Sequence, residues 1–124
     1  MRLSLIFATS ILFCSAVQAE TTSFTCRFLL TASPKGIAKE NPPLELRFIS
    51  DTTARKVYLI GNNGSSEVRA IENREGGITF VEVTSTGNVM VTAITFSGEA
   101  VHSRNGIIAD TLVPSQYYGK CDRR

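Results

Sequence analysis

The chain has no tryptophan, one histidine and three cysteines, and each scarcity removes a class of chemistry. A zinc site draws three or four ligands from histidine, cysteine and carboxylate. His102 and two cysteines expected to be oxidised do not supply them. Glu72, Glu75 and Glu82 are scattered, with no D-x-D-x-D loop for calcium. A serine triad would have to use His102, Ser103 and Asp110, but neighbours on a strand point to opposite faces, and no G-x-S-x-G elbow occurs. His102 is therefore expected to sit exposed on a strand or turn. The cysteines form no C-x-x-C pair, so dithiol redox chemistry has no vehicle. Neither G-x-x-x-x-G-K-[ST] nor G-x-G-x-x-G is present, so no phosphate-bearing cofactor is expected. No carboxylate pair carries a local signature of glycoside hydrolysis, and Glu82, between Val81 and Val83, reads as a solvent-facing strand residue. The expectation is no catalytic residue, no metal and no cofactor.

An excess of positive charge is also missing. The chain carries 13 basic and 11 acidic residues, which argues against nucleic acid or an anionic membrane as the main partner. Lys120, Arg123 and Arg124 form too short a cluster to change this and read as a solvated tail. The one sustained apolar stretch is at the start. Arg2 precedes Leu3, Leu5, Ile6, Phe7, Ile11, Leu12, Phe13 and Val17, and Val17-Gln18-Ala19 fits a signal-peptidase site. At about 15 residues the stretch is short of the roughly 20 that a spanning helix needs. Bulky Phe13 before Cys14 speaks against lipidation there. Residues 1–19 are thus expected to be a secretory signal peptide and 20–124 a single domain, periplasmic or secreted, with no integral membrane segment left. Removing the signal takes Arg2 and brings the rest within one charge of neutrality.

Two cysteines then remain, one near each end, in a compartment that permits disulfides. A Cys26–Cys121 bridge is expected, tying the first strand to the last segment.

What is present throughout is β patterning. Ser23–Thr31 alternates Phe24, Cys26, Phe28 and Leu30 with Thr25, Arg27, Leu29 and Thr31, a period of two that turns one face inward. Further strands are expected at Leu44–Ser50, Lys56–Ile60, Glu67–Glu72, Ile78–Val83, Val89–Phe96, Ala100–Arg104 and Ile107–Val113. Turn chemistry separates them at Gly61–Gly64, Asn73–Gly77, Thr86–Asn88, Ser97–Glu99 and Asn105-Gly106, the last being the strongest hairpin signal. Asn63-Gly64-Ser65 matches a glycosylation sequon but reads as a turn, since the signal peptide looks bacterial. The fold class is all-β, a small antiparallel barrel or sandwich of about eight strands. Phe24, Phe28, Leu46, Phe48, Leu59, Phe80, Val91, Phe96 and Ile107 are the expected core. The longest connection, Pro34–Asn41, offers the one place for a short helical turn, ended by Pro42-Pro43.

Two segments are candidate contact surfaces: the Lys35–Pro43 loop with Lys35 and Lys39, and the stretch holding Gln116, Tyr117, Tyr118 and Lys120. Paired tyrosines suit an interface because each ring is apolar with a polar handle. The alternative reading is that one tyrosine packs beneath the disulfide and the other is half exposed.

The early Ser23-Phe24-Thr25-Cys26 and late Tyr118-Gly119-Lys120-Cys121, with Ala100–Arg104 before it, resemble a pattern in small exported proteins of proteobacteria, a group that implies no activity. The layout is also similar to periplasmic and membrane-bound inhibitors of c-type lysozyme. That resemblance implies a small antiparallel barrel, an N-terminal strand cysteine bonded near the C-terminus, and a loop with a serine and a basic residue that enters the lysozyme cleft. The family's S-G-x-x-Y segment is missing; Ser85-Thr86-Gly87-Asn88-Val89 is the nearest stretch and lacks the tyrosine. No inhibitory residue is carried over. The expected function is non-catalytic binding of an envelope or extracellular protein or a small ligand. The rivals are inhibition of a cell-wall lytic enzyme such as lysozyme, and a structural envelope module without a discrete ligand. A binder should show an exposed apolar patch or an open barrel mouth, whereas a structural module should show a filled interior and polar loops.

Overall fold

The computed structural model describes residues 14–15, 20–62 and 64–124. The expected signal peptide falls almost wholly outside these residues, as does Asn63 of the sequon. Eight strands follow one another: β1 (Thr21–Ser33), β2 (Gly36–Asp51), β3 (Lys56–Gly61), β4 (Gly64–Glu72), β5 (Ile78–Val83), β6 (Val89–Ile94), β7 (Glu99–Ile108) and β8 (Thr111–Arg123). Each pairs antiparallel with the next, and β8 returns to pair with β1, so the sheet closes into an up-and-down barrel. Closure leaves the middle of the sheet with no free edge. Of the two expected architectures the chain adopts the barrel.

The strand alternation sets the core. Phe24, Cys26 and Phe28 of β1, Leu46 and Phe48 of β2, Leu59 of β3, Val68 of β4, Phe80 of β5, Ile94 of β6, and Ala100 and Cys121 of β7 and β8 meet inside. Phe48 and Phe80 stack at 4.1 Å between centroids, and Phe24 meets Phe80 edge-on at 5.6 Å. Full burial of one such ring contributes roughly 1.5–3 kcal/mol, so these aromatics carry much of what the barrel gains. The outer face takes the charge: Arg27 pairs with Glu45 and Lys56 with Glu67, each at 3.1 Å. A transmembrane barrel has the reverse arrangement, apolar outside and polar within. Among the described residues no helix is long and apolar enough to cross a membrane.

Cys26 and Cys121 are directly opposed on β1 and β8 and are bonded, with Cα atoms 3.9 Å apart. The bridge therefore lies on the closing seam. Gly119, one inward position away, allows that seam to form: a Cβ there would run into the Arg27 carbonyl oxygen and lie 2.6 Å from Phe28 Cα. Beside it β1 carries an extra residue, Leu29, so pairing steps from Phe28–Gly119 to Leu30–Tyr118.

Three turns use one device. In 73–77, 84–88 and 95–99 the first residue's N–H donates to the carbonyl of the fifth, and the fourth, Gly76, Gly87 or Gly98, donates back to the first. Each of these glycines has a positive φ, where a Cβ would be strained. The side chain of the first residue (Asn73, Thr84 or Thr95) accepts a further backbone N–H.

Several expectations need correction. Pro34–Asn41 forms no helical turn. The chain reverses at Pro34-Lys35, and β2 begins at Gly36, because Leu30, Thr31 and Ala32 continue β1 and claim Lys39, Ala38 and Ile37 as partners. Asn105-Gly106 is not a turn but lies within β7, opposite Pro114 and Val113. The hairpin instead reverses at Ala109-Asp110, both at positive φ, as a two-residue turn of the favoured hand requires. The expected last strand is thus split between β7 and β8, and 115–120 is strand throughout. Val91, Phe96 and Ile107 do not join the core. Val91 has the wrong parity, since Thr92 and Ile94 are the buried residues of β6; Phe96 sits in the β6–β7 turn, 83% exposed; Ile107 lies beyond the barrel wall.

Candidate functional site

Alternation of direction places the β1–β2, β3–β4, β5–β6 and β7–β8 turns at one end of the barrel, and the start of β1 and the end of β8 at the other. The first end is uneven. β3 pairs with β2 only up to Ile60–Arg47, and β6 with β7 only up to Met90–Arg104. The β1–β2 and β7–β8 hairpins continue past these points. They remain joined through Leu30–Tyr118, Thr31–Tyr117 and Ala32–Gln116, so two neighbouring hairpins stand tall over one side of an open mouth. Pro42-Pro43 lie in the stretch of β2, residues 40–43, that pairs with neither β1 nor β3, and they have no N–H to offer to another strand.

The mouth is a cavity of about 580 Å³. Leu44, Leu46 and Leu59 form its apolar wall, and Ser66, Glu82 and Arg104 are among its polar groups, with Asn62, Ser65, Thr84 and Ser85. Glu82 corrects the expectation of a solvent-facing residue. It is half-buried, lies on the inward parity of β5 two residues after Phe80, and accepts the Ser66 hydroxyl at 2.7 Å.

His102 is a second correction, and the larger one. It is 2% exposed and lies on the inner face of β7 between Ala100 and Arg104. Arg104 Nε donates to His102 Nε2 at 3.1 Å. That nitrogen must therefore be unprotonated, so Nδ1 carries the hydrogen and donates to Thr92 Oγ1 at 2.7 Å. Burial first, and the Arg104 charge second, lower the pKa of His102 from 6.5 to about 4, so the ring is neutral at neutral pH. Arg104 in turn lies over the Tyr117 ring, 4.8 Å from its centroid. The row Thr92–His102–Arg104–Tyr117 thus fixes the guanidinium at the rim of the cavity.

The two segments expected to make contacts are brought together. Leu30, expected on the inner face with Phe28, is turned outward by the extra residue Leu29; it has Lys39 on one side and Tyr118 on the other, so all three share the outer face. Lys35 is in the β1–β2 turn; Gln116 and Lys120 are exposed on β8, and Tyr118 Oη donates to Gln116 Oε1 at 2.7 Å. Tyr117 alternates to the inside and packs against the core, while Tyr118 stays 43% exposed. Sequence reasoning missed the end of the β7–β8 hairpin. Ile107, Ile108, Leu112 and Val113 are all exposed there, 61% and 72% for Ile107 and Leu112. Their crowding around a two-residue turn was the available signal, but Asn105-Gly106 drew the turn to the wrong place. Among the described residues no three metal-ligating side chains gather. The chain matches no protein-family model, no curated protein and no solved structure.

Proposed function

We propose that the chain is an exported, non-catalytic binding module of the bacterial envelope, and that it meets a protein partner through its paired tall hairpins. The observation that carries this reading is the apolar β7–β8 end. Four large aliphatic side chains are solvent-exposed at the end of one hairpin whose outer residues have no strand on either side. Scattered exposed apolar residues are ordinary, but a cluster marks an interaction surface. Asp110 at the very tip favours a protein surface over a bilayer, where a carboxylate is costly. Lys39, Leu30, Tyr118 and Gln116 extend the outer face that Ile107 and Leu112 share. Tyrosine is enriched at interfaces, and a polar, solvent-accessible rim commonly surrounds the apolar contact.

The test is capture from envelope extract with the oxidised protein as bait and its reduced, unfolded form as control. Enrichment of one protein by the oxidised form alone is the expected result. Equal capture by both forms, or none by either, would remove the reading.

The alternative is inhibition of a cell-wall lytic enzyme such as lysozyme. It is supported by a small closed barrel whose disulfide joins first strand to last, the layout that the resemblance implies. Stoichiometric loss of lysozyme activity on adding the protein would favour it; unchanged activity would discard it.

A further inference from the structure

The mouth holds two opposite charges that do not satisfy each other. Glu82 and Arg104 lie on either side of Met90 in one cross-strand row, Glu82 opposite Met90 and Met90 opposite Arg104. Two strand spacings put their backbones roughly 10 Å apart. Both side chains line the cavity. Among the described residues neither takes part in an ion pair.

Each is instead held by a neutral neighbour. Glu82 receives the Ser66 hydroxyl on Oε1, which leaves Oε2 to accept. Arg104 gives Nε to His102 and lies over Tyr117, which leaves its Nη groups to donate. A guanidinium fixed in this way presents two parallel N–H donors, the geometry that receives a carboxylate. A half-buried carboxylate supported by a hydroxyl receives an ammonium group. Leu44, Leu46 and Leu59 cover the space between with apolar surface. The cavity lies in the usual range of about 300–1,000 Å³ for small-molecule sites.

We propose that the mouth binds a short zwitterionic peptide, with its terminal carboxylate on Arg104 and its terminal ammonium on Glu82. Extended residues span about 3.3–3.6 Å each, so a chain of about three residues matches the separation of the two backbones that carry these groups. This site is separate from the apolar hairpin end and does not depend on it: Ile107, Ile108, Leu112 and Val113 line no part of the cavity.

The experiment titrates the oxidised, isotope-labelled protein with trialanine, N-acetyl-trialanine, trialanine amide and the doubly blocked peptide, following backbone amide shifts. Saturable shifts at Ser66, Glu82, Met90 and Arg104 are expected with trialanine, and each single block should weaken binding about tenfold or more, the effect of losing one charge-assisted hydrogen-bonded partner. Glu82→Gln should erase the advantage of the free ammonium but keep that of the free carboxylate. Arg104→Gln should do the opposite. Since Arg104 also braces His102, the spectrum of that variant reports whether the barrel survives, and Glu82→Gln with Ser66→Ala decides the matter alone if it does not. Binding of the doubly blocked peptide as tight as that of trialanine, shifts that map elsewhere, or no saturable shift would overturn the assignment.

Discussion

At the scale of single residues, His102 decides more than any other side chain. It is a titratable ring in an apolar interior, and the fold keeps it neutral by accepting one hydrogen bond and donating another. Protonation would put a second cation against Arg104. Its pKa is about 4 in the folded chain against 6.5 in the open. Between those values the unfolded chain binds a proton that the folded chain does not. Stability from this group is therefore complete above about pH 6.5 and is lost as pH falls toward 4. The amount is on the order of 3 kcal/mol. Urea denaturation at about pH 7, 5.5 and 4 should show His102→Gln losing less stability with acidification than the parent; parallel losses would contradict the neutral buried ring. Gly119 is the second such residue. Gly119→Ala forces a methyl group into the β1 backbone, and a loss of about 2 kcal/mol or more is expected in the same assay.

Little of this could be read from the chain. A lone histidine in a strand can face either way, and only the register of β7 against β6, which sets His102 opposite Thr92, turns it inward. Glu82 is similar: its alternation with Val81 and Val83 correctly predicts opposite faces, but β5 turns Phe80 and Glu82 inward together.

At the scale of elements, the strands were legible where one face is buried. Ile78–Val83 has the expected bounds, and Ser23–Thr31 and Lys56–Ile60 lie within β1 and β3. Legibility failed at the two tall hairpins, where both faces are partly solvated and alternation no longer marks the register. There Asn105-Gly106 looks like the turn, yet the reversal falls on Ala109-Asp110, with φ of 47° and 60°. Ala109 occupies a conformation that costs an ordinary L-residue about 1–2 kcal/mol. Ala109→Asn with Asp110→Gly should therefore stabilise the protein by about 0.5–1 kcal/mol, seen as a higher thermal midpoint. A lower midpoint would mean that the hairpin reverses elsewhere. In the same arm, Ile107→Ser with Leu112→Ser should change stability by no more than about 0.5 kcal/mol, because both side chains already face water, while partner capture from envelope extract is lost.

At the scale of the whole molecule, seven of the strand pairings are between sequence neighbours, and the eighth joins the two ends. That last seam closes the longest loop in the chain and carries the Cys26–Cys121 bridge, 95 residues apart in sequence. Restricting so long a loop in the unfolded chain contributes about 4–5 kcal/mol at most, out of roughly 5–15 kcal/mol for a typical domain. Reduction, or Cys26→Ala with Cys121→Ala, should lower the urea midpoint by a large fraction. An unchanged midpoint would mean that the seam holds without its bridge. The pairing was legible because two cysteines flank the β-patterned region. That the barrel is short on one side and tall on the other was not, because it follows from where cross-strand pairing stops.

The central claim is that the tall hairpins face a protein. It is tested most directly by placing a photo-reactive residue at Leu112 and, as a control, at Ile60, an exposed position on the short side of the barrel, and irradiating living cells. A single discrete crosslinked protein from position 112 and none from position 60 is the predicted result; no crosslink at 112, or the same products from both positions, would contradict it.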